Sequence, residues 1–295
     1  MKSKPRTRER QLKHKHYAGW LYSIPGFIFL ILFFWYPLIL SFVVAFQHWH
    51  PIKPPVYVGL NNFQLVFNHP LTPLVFKNTL IYAGLRIALT FLIPIIVAIL
   101  IMEMRKSTIR IMMILWFIPI SGVALTILWK YIYNPYYGLL NAIFVGLGFA
   151  PQRWLSDKNL AMLCLILPSL IMFAPGLIYI GALQTIPEEL YEAAELEGAG
   201  FWSKIWHITL PRIRPVIAML LILAVISAFQ EFNLPYIMTK GGPGNATLFA
   251  VQYLWRTAFG YMKLGEGTAI AILLFFFLLT LTIIQRKFFR ENVDE

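Results

Sequence analysis

Six runs of predominantly apolar residues constrain this chain more than any other feature: Leu21 to Phe46, Asn78 to Met102, Ile111 to Trp129, Leu160 to Leu183, Pro215 to Ile237 and Gly267 to Gln285. At a rise of about 1.5 Å per residue, roughly 20 such residues cover the ~30 Å hydrocarbon layer of a bilayer. Each run therefore predicts a membrane-spanning helix. Only 13% of the residues are charged, against about 25% in a typical soluble domain. That leaves too little polar surface to coat a soluble globule.

The first run is too long for the roughly 7 to 15 apolar residues of a cleavable signal, so a retained helix is expected. A further apolar stretch, Leu139 to Phe149, contains Asn141, Gly146 and Gly148 and is too short to cross. It reads as an interfacial or re-entrant helix.

Formal net charge is +12, but the basic residues sit between apolar runs and form no single patch, which argues against a nucleic-acid partner. Six crossings put both termini on one side. The segments of that side hold Lys2, Lys4, Arg6, Arg8, Arg10, Lys13 and Lys15, then Arg105, Lys106 and Arg110, then Lys204, Arg212 and Arg214, then Arg286, Lys287 and Arg290. The opposite loops hold Lys53, Lys130, Arg153, Lys158, Lys240, Arg256 and Lys263. Sixteen against seven places both termini in the cytoplasm by the positive-inside rule. Aromatic residues near the ends of the runs, among them Trp20, Tyr22, Trp49, Tyr57, Trp129, Tyr131, Tyr133, Tyr253 and Trp255, fit interfacial belts. Cys164 is the single cysteine, so no internal disulfide forms and no metal site is expected.

Five of the thirteen acidic residues fall between Thr185 and Pro215, on the face that is otherwise basic. Pro187 fits a first helical turn, with Glu188 and Glu189 complementing the positive end of the helix dipole. Gly198 and Gly200 end that helix near Glu197. In a second short helix Phe201, Trp202, Ile205 and Trp206 form one apolar stripe, stopped by Pro211. The form is a compact helix-turn-helix knob beneath the membrane. An amphipathic helix lying on lipid headgroups is the alternative, opposed by five carboxylates beside an anionic leaflet.

The stretch EAAELEGAG from Glu192, followed by ITLPRIRP from Ile208, resembles the cytoplasmic signature loop of binding-protein-dependent ABC importer permeases. The match lies at Glu192, Ala193, Ala194, Gly198, Leu210 and Pro211, with Glu197 where the family usually has Asp. YVGLNNF from Tyr57, KNTLIY from Lys77, GLLNAIF and WLSDKNLA from Gly138 and Trp154, and TKGGPGNAT from Thr239 are similar to segments of the carbohydrate-uptake branch, which includes the maltose and glycerol-phosphate permeases.

The resemblance implies an all-α membrane protein of about six transmembrane helices, with a cytoplasmic coupling helix-turn-helix between the fourth and fifth. Residues 1–19 would form a basic cytoplasmic arm, 20–288 the permease domain with its coupling loop at 185–215, and 289–295 a short tail. It implies partners too: an ATPase dimer inside, a second permease subunit beside the chain and an extracytoplasmic solute-binding protein outside. No GxxxxGK[ST] loop occurs, so no cofactor is expected in this chain and ATP with Mg would be bound by the ATPase partner.

Arg86 and Glu231 are ionisable residues expected at membrane depth, where charge needs a partner or water. Ser227, Gln230 and Glu231, with Leu234 one turn on, share one face of the fifth helix by their i, i+3, i+4 and i+7 spacing, with Asn233 on the flank. That face suits hydrogen bonding to solute hydroxyls, and Tyr236 or Phe232 suits stacking on a sugar ring. Equally, Glu231 suits an ion pair with Arg86 or with a second subunit. A self-contained secondary transporter or channel would need intramembrane coupling carboxylates, for which Glu231 is the sole candidate. A membrane enzyme finds no HExxH, GxSxG or paired intramembrane carboxylates in support.

Overall fold

The computed structural model describes residues 20, 22–104, 106–116, 122–171 and 176–291. The N-terminal arm, Arg105, Pro119, Pro175 and the last four residues lie outside them. The chain divides into two compact units, one formed by residues 1–66 and 257–272 and the other by 67–256 and 273–295.

In the first unit, α1 (Tyr22–Ala45) leads into a two-stranded antiparallel ribbon of β1 (Gln47–His48) and β2 (Val56–Tyr57), with Gln47 opposite Tyr57. Helix α2 (Asn61–Asn68) follows. Asn62 is buried, and its Nδ2 donates to the carbonyls of Ala45 at 2.8 Å and Gln47 at 2.9 Å. These two bonds tie α2 to the end of α1 and give the LNN of the sequence a structural purpose.

The second unit contains α3 (Leu71–Thr90), α4 (Leu92–Met102), α5 (Lys106–Trp116), α6 (Gly122–Ile132), α7 (Leu139–Gly146), α8 (Ala161–Ile171) and α9 (Gly176–Leu183). It continues through α10 (Glu188–Leu196), α11 (Phe201–Lys204), α12 (Leu210–Phe229), α13 (Asn233–Met238) and α14 (Ala250–Trp255). Helix α15 (Leu264–Glu291) begins in the first unit and ends in the second. One core joins Ile95, Ala98 and Ile101 of α4 to Tyr179, Ile180 and Leu183 of α9 and to Ile213 and Leu220 of α12. Another gathers Tyr82, Tyr133, Trp154, Cys164, Leu165, Ile166, Met238 and Phe249.

Among the described residues, four helical stretches are long and apolar enough to cross a membrane: Tyr22–Ala45, Leu71–Met102, Phe201–Met238 and Leu264–Phe289. Gly122–Ile132 and Ala161–Leu170 are shorter apolar helices. Helix α7, at eight residues, is about 12 Å long and cannot span.

Proline sets the interruptions. The helix bends at Phe91 between α3 and α4, because Pro94 has no N–H for the Thr90 carbonyl and its ring crowds that oxygen. Pro37 and Pro211 behave differently: each follows a π turn, Ile31–Trp35 and Ile205–Thr209 respectively. Pro211 was expected to stop its helix, yet α11 continues through the π turn into α12. Leu210 N–H bonds the Ile205 carbonyl five residues back, and the widened turn relieves the ring's clash with the carbonyl four residues earlier.

The expected continuous helix from Pro215 to Ile237 breaks at Gln230–Phe232. Pro235 is the cause, since it excludes the Glu231 carbonyl as an acceptor four residues back. Two aromatic expectations also change. Tyr133 and Tyr253 are buried, at 1% and 4% exposure, and belong to the protein interior instead of an interfacial belt.

Candidate functional site

The acidic helix α10 starts one residue later than the sequence suggests, with Pro187 as its N-cap and Glu188 and Glu189 in its first turn. Its end follows from backbone geometry. Gly198 has φ +82°, its N–H bonds the Glu195 carbonyl at 2.9 Å, and Ala199 N–H bonds the Ala194 carbonyl at 2.8 Å. This is a Schellman cap, which favours glycine because a side chain is strained in the left-handed region. A Cβ at Gly198 would meet nothing within 4 Å, so the glycine answers to conformation and leaves an unobstructed surface.

Glu192, Ala193, Glu197 and Gly198 are exposed and Ala194 is half-buried. Leu196 projects outward at 91% exposure. The expected single apolar stripe on α11 divides in two. Ile205 is buried and Phe201 half-buried, whereas Trp202 and Trp206 face outward. Leu210 packs against the core of α4, α9 and α12, while Pro211 is exposed at the start of α12. Phe201, Lys204, Ile205 and Thr209, with Tyr191 and Glu195 of α10, line a cavity of about 640 Å³ that reaches Met102 at the end of α4, Glu103 just after it and Arg110 of α5.

The predicted pathway residues do not form one helical face, because α12 ends at Phe229. Gln230 is its exposed C-cap and Asn233 is exposed at the start of α13. Glu231 sits in the break. Its Oε2 accepts from Arg86 Nη1 at 2.9 Å and its Oε1 accepts from Leu234 N–H at 3.2 Å. The carboxylate thus neutralises the arginine and caps the first turn of α13 at once. Tyr236 stacks on Phe232, ring centroids 4.9 Å apart, and meets Trp255 edge-on.

Arg86 and Ser227 come together on a cavity of about 360 Å³, lined also by Thr90, Phe91, Ser169, Tyr179, Leu220 and Ala224. Tyr179 is buried and its hydroxyl has no partner among the described residues. Thr90, Ser169 and Tyr179 escaped the sequence reading because each is a lone polar group in an apolar helix. Among the described residues, no three His, Cys, Asp or Glu side chains converge as metal ligands.

Two segments singled out by resemblance have structural explanations. Asn78 Nδ2 donates to the Asn245 carbonyl at 2.8 Å, and Ala250 N–H donates to Thr79 Oγ1 at 2.9 Å, which pins the loop after α13 to α3. Asn141 Oδ1 accepts from Gln152 N–H at 3.0 Å and Trp154 Nε1 at 2.8 Å, and its Nδ2 donates to the Pro135 and Gln152 carbonyls.

Comparison with known proteins extends the argument to the whole chain. It is 32% identical to the trehalose/maltose transport system permease protein MalF of Thermococcus litoralis, over 99% of this chain and 98% of that one. It is 32% identical to the arabinooligosaccharides transport system permease protein AraP of Bacillus subtilis, over 92% of this chain and 88% of that one. In fold it resembles a subunit of a bacterial ABC transporter involved in import of the acidic polysaccharide alginate, with a TM-score of 0.83 at 22% identity, covering 96% of this chain and 99% of that one. Residues 20–291 match the family described as binding-protein-dependent transport system inner membrane component; the chain belongs to that family and is a multi-pass membrane permease subunit.

Proposed function

We propose that this chain is one of two permease subunits of an ATP-driven importer for a sugar, an oligosaccharide or a related polyol phosphate. It crosses the membrane six times with both termini in the cytoplasm. Residues 1–19 form a basic arm, 20–288 the permease domain and 289–295 the tail. A solute-binding protein delivers the solute from outside. An ATPase dimer, which holds ATP and Mg, seats on the coupling loop 185–215.

The observation that carries this reading is α10 itself, an acidic helix whose Glu192, Ala193, Glu197 and Gly198 are all exposed and whose continuation is held in the core through Leu210 and Ile213. Ala194 completes the small-residue side, and Pro211 starts the helix that leaves the knob. Carbohydrate as the cargo is supported by the relatives named above. A further solved neighbour, an alginate ABC transporter in complex with a pentasaccharide-bound periplasmic protein, supports the binding-protein partner.

The solute path runs by the cavity of Arg86 and Ser227, where hydroxyl and guanidinium donors face an apolar wall, with Gln230, Glu231, Asn233 and Tyr236 beyond the end of α12. Pairing of Glu231 with Arg86 weighs against a self-contained ion-coupled transporter, since a coupling carboxylate must be free to change its charge.

The test substitutes Glu192→Lys and Gly198→Trp, then measures co-purification of the ATPase and solute-stimulated ATP hydrolysis in membranes. Loss of both with normal membrane insertion is expected. Unchanged association and hydrolysis would remove the ATPase socket from α10 and move the self-contained transporter ahead.

A further inference from the structure

Helix α10 is joined to the foot of α12 by a short relay of side chains. The Tyr191 hydroxyl lies 3.0 Å from Thr209 Oγ1, and Thr209 Oγ1 donates to the Lys204 carbonyl at 3.4 Å. Either hydroxyl can donate in the first bond. Thr209 is 4% exposed, and a buried hydroxyl that loses its partner is left with a desolvated polar group. Lys204 Nζ also donates to Glu195 Oε1 at 2.7 Å. Tyr191 and Glu195 are four residues apart on α10 and share a face. Both ties therefore run from one face of the exposed acidic helix to the π turn Ile205–Thr209 and the residue before it.

That π turn ends where α12 begins. Helix α12 is 20 residues long, about 30 Å, with Ile213 and Leu220 packed into one core with α4 and α9. Its far end carries Leu223, Ala224 and Ser227 into the wall of the Arg86 cavity, and Glu231 follows just past it. Besides the two ties, the knob is connected to this rod through the turn at 197–200 with the short α11, and through Ile186 before α10, which packs on the core that α12 shares. Tyr191, Glu195, Lys204 and Thr209 all line the 640 Å³ cavity, so the two ties link the elements on its wall.

We propose that Tyr191 and Thr209 are positioning residues that fasten α10 to the foot of α12, so that displacement of the knob by an ATPase is delivered along α12 to the solute cavity. This rests on the reading of α10 as the ATPase socket. Neither residue touches solute or nucleotide; they set the stiffness of the link between the two sites. The Lys204–Glu195 pair is the outer tie, with Glu195 exposed.

The test uses the assembled transporter in membranes, with Ser227→Cys as a reporter. Cys164 is buried and gives little background. N-ethylmaleimide labelling of the reporter cysteine is measured with and without ATP and vanadate. Tyr191→Phe and Thr209→Val each remove one half of the hydroxyl pair while keeping size and shape. Each is expected to leave the ATPase bound and to reduce the nucleotide-dependent change in labelling by about two- to tenfold, the range for one lost hydrogen bond. The double variant is expected to be no worse than Thr209→Val alone, because that variant already removes the bond lost in Tyr191→Phe.

A nucleotide response of unchanged size in both single variants overturns the proposal while leaving the socket intact. Multiplying effects in the double variant also overturn it, as does loss of the ATPase from Tyr191→Phe, which would make the pair part of the docking surface. A reporter without any nucleotide response overturns it too. Failure of the socket reading shows separately, as ATPase retention by Glu192→Lys.

Discussion

Arg86 Nη1 and Glu231 Oε2 stand 2.9 Å apart, joining α3 to the break between α12 and α13, with side chains 22% and 14% exposed. By sequence alone Glu231 suits a solute contact and an ion pair equally. It forms the pair while remaining beside the cavity that Arg86 lines.

Removing one partner strands the other. Arg86→Met or Glu231→Leu alone is expected to destabilise the protein by about 1–3 kcal/mol, less than a fully buried pair because both groups are partly exposed. The double apolar variant should recover most of that loss. Thermal unfolding of the purified transporter checks this, and a double variant no more stable than the singles would contradict it. Loss of uptake in a stable double variant would assign the pair to the solute path.

Gly198 separates conformation from bulk. Gly198→Ala should cost about 1–2 kcal/mol through its positive φ, and Gly198→Asn less, since asparagine tolerates that region. Hydrogen exchange at the Gly198 and Ala199 amides reads the cap directly. If Gly198→Asn, which keeps the cap, releases the ATPase as fully as Gly198→Trp, the open surface and not the cap geometry is what the partner needs.

Asn141→Leu leaves Trp154 Nε1 and the Gln152 N–H without their acceptor. The expected loss is about 2–4 kcal/mol, against about 1 kcal/mol for Trp154→Phe, which removes a single bond. Unfolding temperatures of the two variants test the order. Equal losses would mean that Asn141 is not the hub of this loop.

Two helical glycines should respond in opposite ways to one added methyl group. A Cβ at Gly265 would collide with the Gln47 carbonyl oxygen and come within 2.7 Å of Asn62 Nδ2, whereas one at Gly84 meets nothing within 4 Å. Gly265→Ala is expected to cost about 1–3 kcal/mol through forced backbone movement. Gly84→Ala is expected to be neutral or stabilising by up to about 1 kcal/mol from helix propensity. Membrane abundance and unfolding temperature distinguish the two.

Local signals were legible in the sequence, and distant ones were not. Pro187, Glu188, Glu189 and Gly198 act within a turn or two of themselves, and α10 lies close to where they place it. The effect of Pro235 is equally local but falls near the end of a run long enough to span, so the break at Glu231 and the loss of the Ser227–Glu231 face are not announced by length and composition. Tyr133 and Tyr253 illustrate another limit: an aromatic near a helix end suits either an interface or a core, and only packing against Trp154 or His69 decides between them. The bond from Asn78 to Asn245 joins residues 167 positions apart, and nothing in either segment alone announces the other.

The π turn at Ile205–Thr209 makes the angular setting of the knob a matter of counting. An α-helix advances about 100° per residue, and a π turn accommodates one residue more than an α turn. Deleting one residue between Ile205 and Thr209 would close the wide turn to regular winding and leave the helix on either side of it nearly in phase. Deleting one from the regular winding of α12 just beyond the turn would instead swing everything upstream, Glu192 included, through roughly 100° about the axis of α12. The bearing of this knob is thus encoded as phase along one helix, with a single turn that can lose a residue without misdirecting it.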